Sequence, residues 1–151
     1  MFLTDVNVLV HAHREDAPLH AEIAEWLERT VNADTPFGLS SHVLSGVLRV
    51  VTHPKVFDPP TPLKTAIEFV DSLRTRPNAV AIAPGPRHWE IFSRLCHSTK
   101  AAGNLVPDAY FAALAIESGS EWITTDGGFA RYQGLKWSHP LSSPGSRSKG
   151  S

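Results

Sequence analysis

The chain has 151 residues, 42% of them hydrophobic and 19% charged, a length and composition that give one globular domain with one sizeable core. A net charge of −1 counts mildly against a protein that coats nucleic acid through a global basic field and says little against an enzyme that touches a few phosphates, so any RNA must be held by local basic residues. The single cysteine, Cys96, excludes an internal disulfide and a cysteine-rich zinc site, and no apolar run approaches the roughly 20 residues of a membrane span.

Met1–Thr4 reads as a first strand that meets an acid at once, without the basic region of a secretory signal, which points to the cytoplasm. Asp5–His13 reads as a helix, and Asp16-Ala17-Pro18 opens a second one through Leu19, Ile23, Trp26 and Leu27. Phe37–Ser40 is a buried strand. A helix through Leu44, Leu48 and Val51 then stops before His53-Pro54. Thr61 is placed to cap a helix with Pro62 in its first turn and an apolar face of Leu63, Ala66, Ile67, Val70 and Leu73.

Ala79–Ala83 is a third strand candidate, followed after Pro84-Gly85-Pro86 by a helix carrying Trp89, Phe92, Leu95 and Cys96. The apolar spacing predicts that Trp26, Trp89, Phe92, Cys96 and Trp122 pack in the core. Gly103 to Glu117 encloses a further helix ended by Gly119, and Glu121–Thr125 is a fourth strand. Asp126-Gly127-Gly128 turns into a short helical segment, and Leu135–Ser138 is a fifth, edge strand. Strands alternating with helices predict an α/β protein of three layers, α/β/α, around a mostly parallel four- to five-stranded sheet. Residues 1–141 form this domain, and 142–151 (SSPGSRSKGS), rich in Ser and Gly and without an apolar residue, reads as a disordered tail or a cloning remnant.

Open parallel sheets bind ligands beyond the carboxyl ends of their strands, where the strand order reverses. Asp5 and Asp126 follow the first and fourth strands, and Asp108 lies in a helix that is apolar almost all the way round, hence buried. An unpaired buried carboxylate is costly, and a helix N-terminus offsets only about 0.3–1 kcal/mol of that. Two carboxylates about 4 Å apart repel by roughly 4 kcal/mol at an effective dielectric of 20, a cost that a divalent cation removes. Converging Asp5, Asp108 and Asp126 would therefore form a site for a hard ion, Mg²⁺ or Mn²⁺, whose chemistry is with water and phosphates.

The segments Leu3-Thr4-Asp5-Val6-Asn7-Val8-Leu9, Val106-Pro107-Asp108-Ala109-Tyr110 and Trp122-Ile123-Thr124-Thr125-Asp126-Gly127-Gly128-Phe129-Ala130 resemble, in order and spacing, the motifs of the PIN domain. The chain is most similar to the VapC toxins within that family. The resemblance implies catalytic, metal-holding roles for Asp5, Asp108 and Asp126, with Asn7 and Thr125 supporting them. It also implies an Mg²⁺- or Mn²⁺-dependent endoribonuclease that inhibits translation, usually a homodimer, silenced by a VapB-type antitoxin. Two positions depart from the family pattern: Gly46 stands where a Glu is usual, and Gly128 where a second acid often follows the fourth-strand Asp.

Arg49, Arg87 and Lys100 are candidates for holding RNA phosphates or the antitoxin's acids. His11 and His13, two apart on a helix, do not face each other, and His42, His53, His88 and His97 have no ligand spacing, so packing or solvent is the reading for all six. Two rivals stand beside the nuclease. One is a catalytically degenerate PIN domain that binds RNA or protein. The other is a doubly wound phosphatase or phosphoacceptor domain, against which Asp5-Val6-Asn7 lacks the second acid such phosphatases place two residues on.

Overall fold

A computed structural model describes residues 1–142 and the backbone of residues 148–149. The elements are β1 (Phe2–Thr4), α1 (Val6–His13), α2 (His20–Asn32), β2 (Phe37–Leu39), α3 (Ser41–Val51) and α4 (Leu63–Arg74) in the first half. They are followed by β3 (Ala79–Ala81), α5 (His88–Thr99), α6 (Leu105–Ser118), β4 (Glu121–Ile123), a 3₁₀ turn (Gly127–Arg131), β5 (Lys136–Ser138) and β6 (Ser148–Lys149). The sheet order is β3-β2-β1-β4-β5-β6, with β1 to β5 parallel and β6 antiparallel to β5.

The chain leaves β1 toward β2 and β3, then crosses back to β4 on the other side of β1. Right-handed crossovers in opposite directions put their helices on opposite faces. The helix contacts follow that division: α1 packs on α2 and α3, and α3 on α4, while α5 packs on α6. The order thus reverses between β1 and β4, and the crevice at their carboxyl ends is the place the topology reserves for chemistry. The α/β class and the mostly parallel sheet are as the sequence predicts.

The core is aliphatic at its centre, with Leu3, Leu9, Ile23, Leu95 and Leu114 buried beside Trp122 and Tyr132. Each such side chain contributes roughly 1.5–3 kcal/mol by leaving water. Ser40 caps α3 by accepting from the Val43 N–H, and Gly119 ends α6 with φ +67°, a left-handed turn that favours glycine.

Several local expectations are corrected. Thr61 does not cap α4, because its hydroxyl is engaged by Arg14 Nη1 at 3.1 Å and lies 3.2 Å from His13 Nε2, and the helix starts uncapped after Pro62. Leu63 and Ile67 are exposed, since α4 turns only Ala66, Val70 and Leu73 inward. Trp89 is 72% exposed: α5 presents His88, Ile91 and Leu95 to the core, and Trp89 rests its ring edge on half-buried Phe92. Cys96 is half-buried against the core. The second helix starts at His20, after a turn rather than at Pro18. Of the predicted tail, Ser142 donates its N–H to His139 O and Ser148–Lys149 pair with β5, while 143–147, 150 and 151 lie outside the described residues. No helix among the described residues is long and apolar enough to cross a membrane.

Candidate active site

Asp5 leaves β1 at its carboxyl end, and its N–H continues the ladder to β4 by donating to Ile123 O at 2.8 Å. The side chain is 7% exposed and caps α1: Oδ1 accepts from the Val6 N–H at 2.7 Å. Oδ2 accepts from the Thr124 hydroxyl at 2.7 Å and from Asn7 Nδ2 at 3.3 Å. Capping and a catalytic role are compatible, because a carboxylate has about four lone-pair sites and three are used.

Asp126 is reached from the same threonine, whose oxygen accepts the Asp126 N–H at 3.0 Å. Its Oδ1 then accepts from the Gly128 N–H at 2.8 Å, which starts the 3₁₀ turn, while its carboxylate is solvent-exposed. Asp108 stands in the first turn of α6, half-buried, with Tyr132 Oη donating to Leu105 O at 3.2 Å beneath that helix end. The fully buried acid is therefore Asp5 rather than Asp108, because the first turn of α6 protrudes while the rest of the helix is covered.

The three acids feel one another. Burial pushes the Asp5 carboxyl up to about 6; Thr124 and Val6 pull it down, and the charges of Asp108 and Asp126 push it further up. Burial raises Asp108 as well, Asp126 adds to this, and Arg131 opposes it. The Tyr132 hydroxyl is pushed up to about 12 by burial and then by Asp108.

Among the described residues no three His, Cys, Asp or Glu side chains form a ready-made metal cage. The donor set is all oxygen and has no ion-paired cation, which fits a hard dication that keeps several waters rather than one enclosed by protein. Exposure rises from buried Asp5 through half-buried Asp108 to exposed Asp126.

Asn7 sits where the sequence places it, with Nδ2 also donating to Thr124 Oγ1 at 3.3 Å and Oδ1 accepting the Thr125 N–H at 3.2 Å. Thr125 contributes this backbone N–H only. The hydroxyl that supports Asp5 belongs to the neighbour, Thr124, fully buried, because adjacent side chains past a strand point to opposite sides. Arg49 on α3 and Arg87 and Lys100 at the two ends of α5 are exposed, and the cation whose field reaches Asp108 is instead Arg131. Thr124 and Arg131 escape a reading that looks for acids. The residue before each Asx turn and the basic residue closing it are the signals that could have found them.

Gly46 faces α1, and a Cβ there would stand 2.9 Å from Val6 Cγ2. A side chain at this position would require Val6 to shift, so the departure goes with close packing of α3 on α1.

Residues 2–135 match the pattern of the PIN domain. The chain belongs to the PIN-domain family. Ribonuclease VapC43 of Mycobacterium tuberculosis is 46% identical over 141 residues, covering 93% of this chain and 96% of that protein. Ribonuclease VapC25 of the same organism is 37% identical over 140 residues, 93% of this chain and 99% of its own length. A chain of the VapBC2 complex of Rickettsia felis, crystallised on a DNA fragment from its promoter, shares the fold with a TM-score of 0.66 at 17% identity, over 91% of this chain and 97% of that one. The PIN-domain match spans all three aspartates.

Proposed function

We propose that this protein is a divalent-metal-dependent endoribonuclease, the toxin of a type II toxin–antitoxin pair that acts on RNA phosphodiesters in the cytoplasm and inhibits translation. The observation that carries the reading is Asp5: a buried carboxylate propped by Thr124, Val6 and Asn7 and pushed up to about 6 by burial and by Asp108 and Asp126. A protein spends stability on such a group where chemistry needs it. Relatives named as VapC ribonucleases along nearly the whole chain support the same reading.

Asp5, Asp108 and Asp126 would hold one Mg²⁺ or Mn²⁺, which when bound supplies an activated water and neutralises charge on the phosphoryl oxygens. The chain's own contribution is positional. Thr124 ties Asp5 to the Asp126 loop, so that two acids from strands far apart in sequence keep a fixed separation. Asn7 bridges the same two segments with both ends of its amide. Tyr132 holds the first turn of α6, and with it Asp108, at the crevice.

The family likeness supports a VapB-type antitoxin and a second copy of the chain as its partners. Purified protein should cleave RNA with Mg²⁺ or Mn²⁺ and lose that activity in Asp5→Ala and Asp108→Ala; undiminished cleavage by either variant refutes the assignment. The degenerate binding module is favoured by one feature, the absence of acids at Gly46 and Gly128, and it predicts RNA or protein binding without metal uptake.

A further inference from the structure

Arg131 closes the 3₁₀ turn that Asp126 opens. Its Nε donates to Gly128 O at 2.8 Å, which fixes the guanidinium plane over the turn. A Cβ on Gly128 would lie 3.0 Å from Arg131 Nη2 and 3.0 Å from Asp126 Oδ1, so the guanidinium and the carboxylate flank the same small space. Even so, Arg131 is in none of the ion pairs found among the described residues. One of its five N–H donors is used, and the residue stands exposed beside Asp126 with its field reaching Asp108.

An arginine that served only to hold the turn would gain by closing on Asp126. This one donates its Nε–H to the Gly128 carbonyl and, as an exposed residue, keeps the rest of a planar donor fork, the geometry that takes two oxygens of a phosphate. Such a cation also answers a difficulty of the site: three carboxylates repel the polyanion they are meant to cut, and the chain as a whole, at net charge −1, offers no compensating field. Gly128 leaves this space open, since a Cβ there would stand tight against both Nη2 and Asp126 Oδ1. The departure from the family's acidic pattern thus has a positive consequence.

We propose that Arg131 is a phosphate-binding residue of this site, its guanidinium taking nonbridging oxygens of the RNA backbone beside the three aspartates, with Gly128 as the position that leaves room for it. This inference rests on the nuclease reading and adds a residue to it.

The test is fluorescence anisotropy of a short labelled single-stranded RNA in EDTA, where no cleavage occurs, across a salt series, alongside cleavage by the same proteins in Mg²⁺. Arg131→Gln should weaken binding on the order of 10-fold at low salt. It should also flatten the plot of log affinity against log salt by about 0.7, the loss of one phosphate contact on a single strand. Arg131→Lys should keep the slope and recover part of the affinity. Gly128→Ala crowds Arg131 Nη2 and Asp126 Oδ1 alike, so it should weaken binding more in the Arg131 background than in Arg131→Gln. If wild-type protein cleaves RNA while Arg131→Gln matches its affinity and slope, the phosphate role is overturned and the nuclease stands. If wild-type protein neither binds nor cleaves RNA, both fall. A lowered melting temperature of Arg131→Gln with unchanged slope assigns Arg131 to the turn alone and also overturns the proposal.

Discussion

Thr124 Oγ1 donates to Asp5 Oδ2 at 2.7 Å, joining residues 119 positions apart in sequence and closing the crevice between β1 and β4. The same oxygen accepts the Asp126 N–H, so one hydroxyl registers two of the three acids.

Thr124→Val keeps the shape and removes the hydroxyl. It takes one partner each from Asp5 Oδ2, the Asp126 N–H and Asn7 Nδ2, a loss of roughly 1–3 kcal/mol in stability. Because Thr124 holds the Asp5 carboxyl down, its removal lets burial push that group above about 6, and the acid limb of the pH–activity profile should move to higher pH. Thr124→Ser should restore both readings. A Thr124→Val protein with the wild-type profile contradicts the role given to this residue.

Asp5 makes metal-free protein pH-sensitive in a direction opposite to most carboxylates. Its carboxyl titrates at about 6 in the folded protein against a reference of 3.8, so the folded state holds that proton more tightly than the unfolded chain. The corresponding stability is present below the unfolded value and is lost as pH rises through the folded one. A shift of that size corresponds to at most about 3 kcal/mol. Without metal, Asp5→Asn should therefore melt several degrees above wild type at about pH 8, with the difference closing toward about pH 4. Mn²⁺ added to wild type should narrow the same gap, and equal melting temperatures across the range would contradict the burial argument.

Gly46→Ala tests the packing account of the missing acid. Alanine favours a helix over glycine by up to about 1 kcal/mol, but here its Cβ meets Val6 Cγ2 at 2.9 Å. Overpacking against a stiff β-branched side chain costs about 1–3 kcal/mol, so the variant should be less stable than wild type. Adding Val6→Ala should relieve the clash and turn the coupling favourable in a double-mutant cycle. A stabilised Gly46→Ala single variant would show that α1 and α3 have room for the acid.

Much of this site is legible in the sequence. Strand-terminal acids at Asp5 and Asp126 lie where a reversing parallel sheet exposes its carboxyl ends, and period alone places them there. What period does not carry is which neighbour turns inward. Thr124 and Thr125 are identical in type, and only the local direction of the chain after β4 decides that the first meets Asp5 and the second faces outward. Trp89 and Ile67 fail for a related reason: an apolar face read from spacing is wider than the strip a helix buries once its neighbours fix its rotation. Thr61 suits a cap by type, but Arg14, 47 positions away, donates to its hydroxyl instead. Long-range polar contacts of this kind have no signature in one chain's sequence.

The central claim is that Asp5, Asp108 and Asp126 act together on one hard cation, and calorimetric titration of Mn²⁺ into the metal-free protein tests it most directly. The account predicts saturable uptake by wild type, abolished in Asp5→Asn and weakened in Asp108→Asn and Asp126→Asn, with protons released at about pH 6 as the Asp5 carboxyl is forced to ionise. No uptake by wild type, or equal uptake by Asp5→Asn, would contradict it.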